Sequence, residues 1–198
     1  MARVIGELSM SLDGFVARKD DQVGPLFEWY GNGEVETPTA FPDRWTFRTS
    51  RASADYLSEG LRNIKAMIAG RRLFDVGQWG ENGMPFGVPI FVVTHAVPVG
   101  WPREDSPLPV TFVTGGVRSA VEQASAVAGE DGWIGVGGPS VIQQCLREGL
   151  LDEVRISLVP TFLGNGIRYF EHVGPADLDG PTVIEGDRVT HLIYQVRR

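Results

Sequence analysis

Six consecutive residues, Gly135-Val136-Gly137-Gly138-Pro139-Ser140, stand where a β-rich run gives way to a helical one. Glycines let a backbone approach a ligand closely. Successive unpaired N–H groups at a helix start attract an anion, and the Ser140 hydroxyl adds a donor. The competing reading is structural, because a tight strand-to-helix turn also needs small residues and a glycine cluster alone is a weak signal. Gly70-Arg71-Arg72 is a second such turn, with two cations whose permanent charge and forked donors suit phosphate. Alone it reads more readily as a surface arginine pair covering the sheet edge. Thr94-His95 is a third, offering a hydroxyl and an imidazole. All three follow apolar, strand-like runs. In a parallel sheet such ends share one edge, where ligands of open α/β sheets bind. The coincidence of three turns points to a phosphate-rich cofactor more strongly than any one of them does.

Asp13-Gly14 ends the first strand-like run and falls on the same edge. A carboxylate there is a weak candidate for proton transfer or for holding a polar substrate. Asp-Gly is also a favoured turn dipeptide, and that plainer reading is preferred for Asp13. A standard dinucleotide-binding domain fits poorly. The glycine cluster comes late, and no acid closes the following strand to hold a ribose.

The elements that must position these groups alternate. Strand-like runs occupy 3–12, resuming at Phe15-Val16-Ala17, then 66–69, 89–94, 110–114, 133–136 and 153–160. Helical patterns cover 51–59, with Ser50 or Ser53 as cap and Gly60 as stop, then 71–75, 118–128 ending at Gly129, and the segment from Pro139 to Gly149. Residues 182–185 and 189–196 read as a hairpin around Gly186-Asp187. The pattern predicts an α/β protein with a mostly parallel central sheet and an antiparallel C-terminal hairpin. Residues 18–50 hold no period yet carry Phe27, Trp29, Tyr30, Phe41, Trp45 and Phe47. So many large aromatics predict an ordered insertion over a pocket within one domain spanning 1–198. Trp29 and Trp45 are weak candidates to stack on a flat substrate ring, packing of the insertion being the alternative.

Composition narrows the field. The chain has 198 residues, 18 Lys+Arg against 25 Asp+Glu, and a formal charge of −7, which argues against a general nucleic-acid binder. No run of 18 apolar residues predicts a membrane span. The N-terminus reaches Glu7 before any signal-length apolar core, so a cytoplasmic protein is the default expectation. Cys145 stands alone and His95, His172 and His191 lie far apart, so no metal site is expected.

Taken together, SMSLDGFVA (9–17), AGRRLFD (69–75), VVTH (92–95) and IGVGGPSVIQQCLREGLLDEVRISLVPTFLGNGIRYF (134–170) resemble the dihydrofolate reductase-like superfamily. More closely, they resemble the riboflavin-biosynthesis reductase domain and its stand-alone bacterial relatives. The last block is the most specific. The resemblance implies a three-layer αβα dihydrofolate reductase-like fold, an NADPH cofactor, hydride transfer to a small-molecule substrate, and a homodimer. It places Ser9, Val16 and Ala17 along the nicotinamide. Gly137, Gly138 and Ser140 would lie on the pyrophosphate, with a cis peptide typical at the glycine pair. Gly70, Arg71 and Arg72 would hold phosphate from the other side, and Thr94 and His95 would meet the adenosine 2′-phosphate. Leu73 stands where relatives often carry Thr, and His95 where they often carry Arg or Lys. No acid matches the pterin-binding carboxylate of true dihydrofolate reductases, and the deaminase domain of the bifunctional riboflavin enzymes is absent. The expected function is an NADPH-dependent reductase of a C=N or C=O bond in a small polar heterocyclic or ribosylamino substrate. The alternatives are the riboflavin-pathway 5-amino-6-(5-phosphoribosylamino)uracil reductase itself and, from another class, a non-catalytic nucleotide-binding module.

Overall fold

A computed structural model describes residues 2–197. Strand β1 (Arg3–Ser11) carries apolar residues on one face and Glu7, Ser9 and Ser11 on the other. It pairs in parallel with β8 (Trp133–Gly137) on one side and β9 (Glu153–Val159) on the other. Beyond β8 lie β5 (Ile64–Gly70), β6 (Ile90–Val93) and β7 (Val110–Val113), all parallel. Beyond β9 lie β12 (Thr190–Val196) and β11 (Leu178–Glu185), both antiparallel. The sheet order is β11-β12-β9-β1-β8-β5-β6-β7.

Helices cover both faces, as a mostly parallel sheet requires. On one, α4 (Gly116–Ala128) and α5 (Pro139–Arg147) bury Val117, Ala120, Ala124, Val141, Ile142 and Cys145 against β1, β5 and β8. Gly6 of β1 is bare because an added Cβ would stand 2.9 Å from Ile142 Cγ2. The other face carries α1 (Arg51–Asn63), α2 (Arg71–Val76) and α3 (Trp79–Asn82), with two further apolar clusters beneath them. No helix among the described residues is long and apolar enough to cross a membrane.

Three local expectations are corrected. Helix α1 does not stop at Gly60 but runs to Asn63, because Gly60 is buried against Phe86 and the chain passes directly into β5. Its cap is Ser50, whose hydroxyl accepts the Ser53 N–H. The 18–50 insertion is ordered, as expected, but contains a 3-10 helix at Gly24–Gly31 and a hairpin of β3 (Val35–Pro38) with β4 (Thr46–Thr49). Four-residue strands are too short to display an alternation. Strand β11 starts four residues earlier than its pattern indicated, since it is exposed on both faces along most of its length.

Beneath α1 the sheet is unusually polar. His191 is fully buried, with Ser53 Oγ 2.9 Å from Nε2 and Ser157 Oγ 2.9 Å from Nδ1. Its ring stacks on Tyr56 at 4.1 Å. Burial lowers its pKa to about 4, so the imidazole is neutral. An unfolded histidine titrates near 6.5. The unfolded chain therefore takes up this proton first as pH falls, and His191 withdraws about 3 kcal/mol of stability between roughly pH 6.5 and 4. Urea unfolding across that range checks the slope, which His191→Gln should flatten.

Candidate functional site

The three glycine and hydroxyl turns follow β8, β5 and β6, which are neighbours in the sheet. All point the same way, so the turns form a continuous ledge on the carboxyl edge. Gly138 adopts φ 88° and ψ 126°, a left-sided conformation that favours glycine. A Cβ placed there would lie 3.7 Å from Leu73 Cβ and 3.9 Å from the Gly70 nitrogen, so the first two turns face each other. A Cβ on Gly70 would stand 3.1 Å from Val141 Cγ2, which brings the starts of α2 and α5 together. Helix α5 begins with no side-chain cap. Ser140 is exposed, and its hydroxyl makes no hydrogen bond among the described residues. Pro139 has no N–H, and the Val141 and Ile142 N–H groups donate to the Gly138 carbonyl, so the Ser140 N–H and its free hydroxyl are the groups left at this helix start to receive a phosphate. The resemblance implied a cis glycine pair. The Gly137–Gly138 peptide is instead trans, the cis bonds among the described residues being Trp101–Pro102 and Gly180–Pro181.

The cations are less free than their sequence positions imply. Arg71 forms an ion pair with Asp75 at 2.7 Å, and Arg72 with Asp21 at 2.8 Å. Arg72 also donates to the Lys19 carbonyl, tying the insertion to the ledge. Exposed pairs of this kind are weak, so an incoming phosphate need only exchange partners with them. Thr94 turns its hydroxyl to Ala96, accepting its N–H and donating to its carbonyl. His95 is exposed and makes no hydrogen bond among the described residues. A fourth turn, Gly115-Gly116 between β7 and α4, extends the ledge and was given no role from the sequence.

Ser9 is buried on β1, its hydroxyl accepting from the Trp29 indole N–H at 3.1 Å. Val16 and Ala17 belong to β2 (Phe15–Ala17), which is buried and pairs with β10 (Ile167–Arg168). Asp13 is an anchor. Its carboxylate accepts from the Ser11 hydroxyl and from the N–H groups of Leu163 and Gly164. These bonds hold it below the usual carboxylate range, so at neutral pH it is an ionised acceptor rather than an acid. Trp29 does not present a ring face to a substrate. It is fully buried, stacked on Tyr30 at 3.9 Å and edge-on to His191. Trp45 is half-buried, and its indole N–H is enclosed without an acceptor among the described residues.

The largest feature missed from the sequence is charged. Arg155 is buried, bound to Glu153, and paired with Glu59 at 3.1 Å. Its guanidinium lies 4.7 Å from the Trp133 ring centroid and 5.5 Å from that of Tyr56. Glu7 lies beside it, accepting from the Tyr56 hydroxyl at 2.7 Å. The available signal was the alternation itself. Positions 7, 9 and 11 of β1 and 153, 155 and 157 of β9 are all polar, and the strands pair in register.

Residues 118–190 match the family model of the RibD C-terminal domain. The chain is 24% identical over 166 residues to the uncharacterized protein YwjB of Bacillus subtilis (strain 168), covering 84% of this chain and 81% of that protein. Among solved structures, it is similar to the "Putative riboflavin biosynthesis protein" of Shewanella sp. PV-4. The TM-score is 0.71 and the identity 22%, with both chains covered in full. It is also similar to dihydrofolate reductase from Enterococcus faecalis complexed with NADP(H). There the TM-score is 0.57 and the identity 10%, over 99% of this chain and 97% of that one. The three-layer fold expected from the resemblance is therefore the fold of this chain.

Proposed function

We infer that this member of the dihydrofolate reductase-like superfamily, similar over residues 118–190 to riboflavin-biosynthesis reductase domains, is an NADPH-dependent reductase. The carrying observation is the ledge of turns after the adjacent strands β8, β5 and β6. Its residues fit a dinucleotide. Gly137, Gly138 and Ser140 would offer the pyrophosphate close backbone, the Ser140 N–H and its free hydroxyl, and Gly70, Arg71 and Arg72 would close on it from the facing turn. Thr94 and His95 stand further along, where the adenosine end would lie. Ser9, Val16 and Ala17, all buried, would stand at the opposite end, on β1 and on the β2–β10 ribbon. The cofactor supplies hydride when bound; the protein supplies orientation and a dry cleft.

The acceptor is a C=N or C=O carbon of a small polar substrate. The second reading, 5-amino-6-(5-phosphoribosylamino)uracil as substrate, draws on the RibD C-terminal match and on Arg18 and Lys19. Those two cations pair with no carboxylate among the described residues, whereas Arg48 and Arg51 are paired with Glu36 and Asp55. A homodimer would cover β11, whose outer edge is unpaired and whose Val183 is half-exposed. Sedimentation of the intact chain reports it. A cytoplasmic setting accords with a single cysteine, Cys145, whose thiol burial pushes up to about 12.

The test is a fluorescence titration with NADPH and NADH. The reductase reading expects NADPH to bind, and binding of neither nucleotide overturns it. Equal affinities mean that His95 does not read the 2′-phosphate. Oxidation of bound NADPH on adding the ribosylaminopyrimidine selects the second reading.

A further inference from the structure

Helices α1 and α2–α3 straddle the sheet face beneath the ledge. Glu7 emerges between them. The pairing of β1 with β8 reaches Gly6 opposite Val136, so Glu7 runs alongside Gly137, the first glycine of the proposed pyrophosphate turn. Gly137 is bare on that face. A Cβ there would meet Leu73 Cδ2 at 2.9 Å and Trp79 Cη2 at 3.8 Å, the side chains that α2 and α3 present. From the α1 side comes Tyr56, whose hydroxyl donates to Glu7 Oε1. Glu7 itself is half-buried, and its Oε2 accepts no hydrogen bond among the described residues. No other carboxyl among the described residues has this setting. Glu153 is bound to Arg3, Arg155 and Gln195, Glu59 to Arg155, and Asp13 is committed to its loop.

We propose that Glu7 is the acid of the reductase site, facing the C=N or C=O bond from the sheet floor and delivering the proton that completes reduction. The proposal rests on the reductase reading. As hydride reaches the acceptor carbon, the π pair of the double bond moves to its nitrogen or oxygen. That atom takes the Glu7 proton, so one C–H and one N–H or O–H bond form while the carboxyl O–H breaks. The carboxylate left behind keeps the Tyr56 hydrogen bond and lies in the field of the Arg155 guanidinium, and water returns the proton. Burial, the dominant influence, raises the Glu7 pKa, with Glu153 and Glu59 acting in the same direction. Arg155 and the Tyr56 hydrogen bond oppose it. The substrate class that fits is an imine or carbonyl compound that presents its heteroatom, rather than an anionic group, to this floor.

Diazoacetamide esterifies protonated carboxyls with loss of dinitrogen and spares ionised ones, so it reports both the proton and access to it. Treatment of the intact protein at pH 7, followed by peptide mass mapping, should label Glu7 in preference to Glu59, which is held by Arg155. NADPH at saturation should suppress the label. Glu7→Gln should lose it while still binding NADPH. NADPH binding with no preferential labelling of Glu7, or labelling that NADPH leaves unchanged, overturns the proposal alone. If the fluorescence titration shows no nicotinamide binding, the reductase reading falls and the proposal falls with it.

Discussion

Gly138→Val is expected to lower NADPH affinity by about a hundredfold or more while the protein still folds. The backbone at 138 holds φ 88°, where a β-branched residue is strained by roughly 1–3 kcal/mol. Relaxing that strain would rotate the turn and withdraw the N–H groups that open α5. The valine methyls would also stand between the Gly70 and Gly138 turns, 3.7 Å from Leu73, where the pyrophosphate is proposed to lie. A hundredfold loss corresponds to about 2.7 kcal/mol, within reach of two or three broken charge-assisted hydrogen bonds. The strain falls on one turn and leaves the apolar clusters untouched, so the thermal midpoint should drop by only a few degrees. Nicotinamide fluorescence and a circular dichroism melt of the same preparation separate the two effects. Unchanged affinity would remove the pyrophosphate assignment.

Arg155→Ala is expected to be the most damaging single change to stability, costing about 3–5 kcal/mol. Arg155 is 3% exposed and neutralises Glu153, which is 1% exposed, while its plane rests on Trp133 and Tyr56. Truncation leaves the buried Glu153 carboxylate with only the partly exposed Arg3 and Gln195, and opens a cavity under two aromatic rings. Replacing the charges together, as Arg155→Met with Glu153→Gln, should recover much of the loss because no uncompensated ion remains. Urea unfolding of the three proteins measures this. A loss below about 1 kcal/mol would mean that Arg3 and Gln195 already satisfy Glu153 alone.

Much of the scaffold was legible because its signals are local. Apolar runs at 66–69 and 89–94 marked doubly covered strands, and Gly129 and Pro139 marked helix ends. The polar layer under α1 escaped because Glu7, Ser9, Arg155, Ser157 and His191 are solvent-like residue types on strands distant in the chain. Only register makes them one row. The aromatics of 18–50 were legible as ordered, but which ring packs and which faces outward depends on neighbours. Trp29 is held by Ser9, Tyr30 and His191, none of which a spacing rule links to it.

By itself, the sequence determined the alternation of elements and the three turns with ligand-binding chemistry, since glycine conformational freedom, strand periodicity and helix-start chemistry are properties of short segments. Tertiary structure decided that those turns sit on adjacent strands, that Asp13 is spent on a loop, and that Glu7 rather than any acid of the insertion faces the ledge. Strand order and register create these juxtapositions. Both are set by the packing of the whole sheet, and burial and hydrogen bonding then push the Glu7 pKa up and the Asp13 pKa down.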